Sequence, residues 1–109
     1  MENKSVVIEI YGANVQCASC VNAPSAKDTY EWLQAAIDRK YSNPEYTITY
    51  IDIERPIENE HHANWAQRVI NDEFFYPLVL INDEVIGEGY IQLKPVFQAL
   101  ERHGFQALA

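Results

Sequence analysis

Short unbroken apolar runs alternate along the chain with apolar residues at helical spacing, and this pattern predicts the secondary structure. The run Ser5 to Tyr11 is rich in β-branched residues and is closed by Gly12, which predicts a buried first strand. From Ser25, a candidate N-cap, to about Lys40, apolar residues recur every three or four positions, which predicts a helix packed on a sheet. A break at Asn43-Pro44 then leads into a second strand, Tyr46 to Ile53.

The second half of the chain predicts one more strand–helix alternation followed by a hairpin. We expect a helix over Ala63 to Asp72, strands over Leu78 to Ile81 and Glu84 to Gly87, and a last helix from about Pro95 to His103. The first two strands should be parallel, because a helix connects them, and the last two antiparallel, because only two residues separate them. The predicted fold class is α/β, in the order β-α-β-α-β-β-α, with a four-stranded mixed sheet and helices on both faces.

Composition limits the chain to one domain and argues against two classes of partner. A chain of 109 residues with 48% hydrophobic residues can build one core, so residues 1–109 are expected to form a single domain. The net charge of −8 repels phosphate backbones and anionic headgroups, which argues against nucleic acid and membrane surfaces as partners. Glu9 interrupts the first apolar run after three residues, so we expect neither a signal peptide nor a membrane span, and a cytoplasmic location.

Both cysteines lie in one motif, Cys17-Ala18-Ser19-Cys20. This spacing is typical of a dithiol redox site, but it also occurs as half of a metal site, or without retained chemistry. A purely structural role for a Cys17–Cys20 disulfide is a weak explanation of the motif, because closing so short a loop stabilises the folded state by only about 2 kcal/mol. His61 and His62 are adjacent and should point apart, so we expect solvated histidines rather than zinc ligands that join the cysteines.

The element order, the cysteine pair after the first strand and the proline opening the third strand resemble the thioredoxin fold. The segments Val7 to Ala13, Cys17 to Pro24, Phe75 to Leu78 and Gly89 to Gln92 further resemble the small bacterial YuzD-like family, whose members are regarded as thioredoxin-like disulfide oxidoreductases. The resemblance implies thiol–disulfide exchange with protein thiols or disulfides, without an organic cofactor or a metal.

The resemblance also implies a role for each site residue. Cys17 would be the nucleophile and Cys20 the resolving thiol, while Tyr76 and Pro77 would contact the partner. The position of Pro77 at the start of the third strand favours a cis peptide bond between Tyr76 and Pro77.

Two features separate this chain from typical thioredoxin-like sites. The spacer Ala18-Ser19 lacks the usual proline, and a helix capped at Ser25 would leave the cysteines ahead of its first turn, with a less activated thiolate. The alternative function is therefore a thioredoxin-fold binding or assembly module without turnover, which could hold a metal or an iron–sulfur cluster between two chains. Oligomeric state is left open.

Overall fold

The computed structural model of the chain describes residues 6–13, 26–41 and 45–106. Its elements alternate as the apolar pattern predicts, and they are β1 (Val6–Gly12), α1 (Ala26–Lys40), β2 (Tyr46–Asp52), α2 (Glu60–Ile70), β3 (Leu78–Ile81), β4 (Glu84–Glu88) and α3 (Leu93–Arg102). The predicted order is confirmed, and so is the predicted α/β class.

One sheet joins the four strands in the order β2-β1-β3-β4. β1 runs parallel to β2 and antiparallel to β3, and β3 pairs antiparallel with β4. The hairpin between β3 and β4 turns at Asn82 and Asp83, whose φ angles of 49° and 68° lie in the left-handed region that a two-residue hairpin turn requires. This mixed sheet agrees with the predicted thioredoxin-like fold.

The two faces of the sheet carry separate apolar clusters, because side chains alternate along β1. Ile8 and Ile10 face α1 and α3, where they pack with Leu33 and Leu100. Tyr11 faces the other way, into a smaller cluster whose helical members come from α2. The helices therefore cover both faces, as predicted, and both clusters reach the end of β1 that precedes residue 14.

Element boundaries differ from the prediction mainly at helix starts. α2 begins at Glu60 rather than Ala63, because the side chain of Asn59 accepts a hydrogen bond from the backbone N–H of His62 at 3.0 Å and caps the helix. α3 begins at Leu93 and ends as predicted before Gly104, whose φ is 100°. The predicted cap Ser25 lies outside the described residues.

Candidate active site

The two ends of the cysteine-bearing segment meet beside Pro77. The cysteine-bearing segment comprises residues 14–25, which follow the end of β1 at Gly12 and precede the start of α1 at Ala26. A Cβ placed on Gly12 would overlap the Cβ of Ala26 and lie 3.6 Å from both Pro77 Cα and Tyr76 Cβ. Only a glycine lets the backbone of β1 approach the start of α1 this closely, while the contacts with Tyr76 and Pro77 are at ordinary packing distance.

The Tyr76-Pro77 peptide bond is cis, in agreement with the prediction. Pro77 is buried and Tyr76 is partly buried. The Pro77 carbonyl accepts a hydrogen bond from the N–H of Gly89 at 3.0 Å, and the N–H of Phe75 donates to the Glu88 carboxylate at 2.8 Å. The segment that contains the cis bond is therefore held on both sides by the end of β4.

An exposed aromatic surface flanks the cis bond. Phe75 is 61% exposed and Tyr90 is 66% exposed. The backbone of Gly89, the residue before Tyr90, lies close to Phe75, since a Cβ on Gly89 would be 3.5 Å from Phe75 Cβ. The preceding residue, Phe74, turns inward instead and packs against Trp65. Exposed aromatic side chains beside a cleft or loop are a common feature of peptide-binding surfaces.

Acidic groups dominate the polar surroundings at this end of the sheet. Asp52 pairs in register with Gly12 at the end of β2, and its carboxylate contacts Arg55 at 3.3 Å. The N–H of Glu54 also donates to the Asp52 carboxylate, at 2.9 Å. Asp52 thus stabilises the turn after β2.

Two of the predicted site residues, Tyr76 and Pro77, lie beside the point where the ends of the cysteine-bearing segment meet. Cys17 and Cys20 lie outside the described residues, so their predicted roles stay predictions.

The histidines depart from the sequence interpretation. His61 and His62 do not point into solvent independently: the Nε2 atoms of both rings approach the carboxylate of Glu9, at 3.4 and 3.0 Å. Their convergence follows from the position of α2, whose first turn lies over β1. A carboxylate in the middle of a buried strand was the one sequence signal of this cluster, because such a charge requires partners.

Comparisons with known proteins place the chain in a family. Residues 9–101 match the family model described as "Protein of unknown function (DUF1462)", so the chain belongs to this family. A protein of Bacillus subtilis (strain 168) named "Putative disulfide oxidoreductase YuzD" is 53% identical over 102 residues, which cover 94% of each chain. The crystal structure of SA0789, a protein of unknown function from Staphylococcus aureus, superimposes with a TM-score of 0.81 at 44% identity, covering 91% of each chain.

No helix among the described residues is both long enough and apolar enough to cross a bilayer.

Proposed function

We propose that this chain is a cytoplasmic thiol–disulfide oxidoreductase in which Cys17 and Cys20 alternate between dithiol and disulfide beside Pro77. The observation that carries the proposal is the contact of Gly12, Ala26 and Pro77, because it brings both ends of the cysteine-bearing segment to the cis peptide bond. Only three residues separate Cys17 from Ala13, so the two Cα atoms can be at most about 14 Å apart. The name of the Bacillus relative gives independent support.

The proposed reaction begins with the thiolate of Cys17. It attacks one sulfur of a partner disulfide, the partner's S–S bond breaks, and the departing sulfur leaves as a thiolate that takes up a proton. Cys20, once deprotonated, then attacks the Cys17 sulfur in the mixed disulfide and releases the second partner thiol. The partner gains two electrons, and the Cys17–Cys20 pair loses two as it forms a disulfide. The reverse sequence oxidises a partner dithiol.

The exposed aromatic surface supports a protein or peptide as the partner. Phe75 and Tyr90 offer apolar area on one side of Pro77, where an extended segment could lie against the end of β4. No organic cofactor is required, because the two sulfurs carry both electrons.

Trapping of the mixed disulfide tests the assigned roles. With oxidised glutathione as the disulfide, Cys20→Ser should accumulate a covalent adduct on Cys17, because the resolving thiol is missing. The matched variant Cys17→Ser should form an adduct more slowly. Intact mass spectrometry over time measures both. Equal adduct formation by the two variants would contradict the assignment of Cys17 as the nucleophile.

Substrate size tests the peptide surface. Phe75→Ala should slow reduction of a peptide disulfide several-fold but leave reduction of a small aromatic disulfide unchanged, since only the peptide is long enough to contact the aromatic surface. Val7→Ala removes a comparably exposed apolar side chain from the far end of β1 and serves as the control. Loss of both activities in Phe75→Ala would argue against a role in partner binding.

A further inference from the structure

A second cluster of reactive groups lies on the α2 face of the sheet. It is centred on Glu9, whose carboxyl side chain is only 6% exposed. The Oε2 atom of Glu9 lies 3.0 Å from His62 Nε2, and its Oε1 atom lies 3.4 Å from His61 Nε2. The same His61 Nε2 atom lies 2.9 Å from Asp83 Oδ1.

Three elements hold these side chains in place. β1 carries Glu9, the capped first turn of α2 carries both histidines, and the β3–β4 turn carries Asp83. Behind the cluster, the Tyr11 hydroxyl donates a hydrogen bond to Glu9 Oε1 at 3.1 Å. Burial, followed by the charge of Glu9, raises the pKa of Tyr11 above its usual value, so this hydroxyl stays a donor. Such a donor orients a carboxylate in the way that outer-shell groups orient metal ligands.

Hydrogen bonds alone cannot satisfy all the acceptor oxygens of this cluster. A His61 ring nitrogen carries at most one hydrogen, yet Nε2 faces an oxygen of Glu9 and an oxygen of Asp83. Within residues 6–13, 26–41 and 45–106, no lysine or arginine forms an ion pair with either carboxylate. A divalent cation would contact all of these atoms at once and balance the two negative charges.

The spacing of the ligand atoms fits a small transition metal. In a tetrahedral site with metal–ligand distances of about 2.0–2.2 Å, neighbouring ligand atoms lie roughly 3.3–3.6 Å apart. The contact of His61 Nε2 with Glu9 Oε1 at 3.4 Å lies within this spacing, and its contact with Asp83 Oδ1 at 2.9 Å lies just below it. The ligand atoms of Glu9, His61 and Asp83 all lie within 4.8 Å of one another. Imidazole nitrogens combined with carboxylates suit Zn²⁺ and other first-row divalent ions.

We propose that Glu9, His61 and Asp83 form a binding site for one divalent transition-metal ion, with Zn²⁺ as the representative ion, while His62 holds the second oxygen of Glu9. His61 and Asp83 form its solvent side, being 45% and 64% exposed. A cleft of about 440 Å³ between the end of β2 and the start of α2 borders His62 and offers a second approach. The ion would join β1, α2 and the β3–β4 turn. The proposal is independent of the dithiol chemistry.

Calorimetric titration with Zn²⁺ tests the site in the full chain with Cys17→Ser and Cys20→Ser, so that no thiolate contributes. We expect saturable binding of one ion per chain. Adding His61→Ala with His62→Ala should weaken binding at least tenfold, and Asp83→Asn, at an exposed turn, should weaken it without threatening the fold. His103→Ala, which changes the third histidine at the end of α3, is the control and should bind normally.

Co²⁺ provides a spectroscopic second measurement. Bound by nitrogen and oxygen in tetrahedral geometry, Co²⁺ should give visible absorption bands that the double histidine variant lacks. Circular dichroism of each variant checks that the chain is folded. Absence of saturable Zn²⁺ binding in the folded cysteine-free chain would overturn the proposal, as would unchanged affinity in the double histidine variant.

Discussion

Gly12→Ala tests whether the close approach of β1, α1 and Pro77 is a real constraint. The added methyl would overlap the Cβ of Ala26. Both carbons are attached directly to backbone, so neither can rotate away, and relief requires the end of β1 to separate from the start of α1. Overpacking of this kind costs about 1–3 kcal/mol of the free energy of unfolding. Each kcal/mol corresponds to a Tm decrease of about 4–8 °C in a domain near this size.

A reciprocal substitution separates the overlap from other effects. Ala26→Gly removes the opposing methyl and should cost roughly 1 kcal/mol alone, from lost burial and added backbone freedom. Combined with Gly12→Ala, it should restore most of the stability lost in the single variant, because only one methyl then occupies the contact. Gly87→Ala is a matched control: its Cβ meets only the tip of Ile91, at 3.0 Å, which can move aside.

Urea denaturation of the four variants and the parent chain measures these free energies. If the two methyl groups overlap, positions 12 and 26 should show a favourable coupling of about 1 kcal/mol or more. A Gly12→Ala chain as stable as the parent would refute the reasoning, as would additive costs in the double variant.

Three further predictions concern stability. Tyr41→Phe should lower the free energy of unfolding by about 1–2 kcal/mol in urea denaturation, because the Tyr41 hydroxyl donates to acceptors on α3 at 2.9 and 3.3 Å. Tyr50→Phe should be neutral or stabilising in the same assay, because the buried Tyr50 hydroxyl has no partner among the described residues. Burial raises the pKa of Tyr11, so above about pH 10 the folded chain retains a proton that the unfolded chain releases. The contribution of Tyr11 to stability should therefore be constant below about pH 10 and be lost above it, and Tyr11→Phe should show a smaller decrease when denaturation is measured at stepped pH. Asn59→Ala should cost about 1 kcal/mol by removing the α2 cap, with no loss expected if the cap is unimportant.

The alternation of apolar runs and helical spacing was sufficient to predict the element order, because each helix and strand buries one continuous face. The β3 boundaries, Leu78–Ile81, were predicted correctly, since Pro77 and Asn82 bracket a wholly apolar segment. The start of α2 was not, because several polar residues precede it and only the folded backbone shows that Asn59 is the one that caps.

The histidine cluster could not be predicted from local pattern. His61 and His62 meet Glu9 because α2 crosses β1 at that point, and the two residues are more than fifty positions away in the chain. The exposure of Phe75 has a similar origin, since it depends on how the backbone turns before Pro77. In the sequence, Glu9 was recognised only as an interruption of the first apolar run, and the partners that its carboxylate has in the fold were not predicted.

Equilibration with glutathione buffers of graded ratio tests whether Cys17 and Cys20 form a redox-active pair. After acid quenching and alkylation, mass spectrometry counts the free thiols in each sample. The account predicts a cooperative change from two alkylated cysteines to none, with the unalkylated form two hydrogens lighter as an intramolecular disulfide. Two alkylatable cysteines at every glutathione ratio would contradict the account.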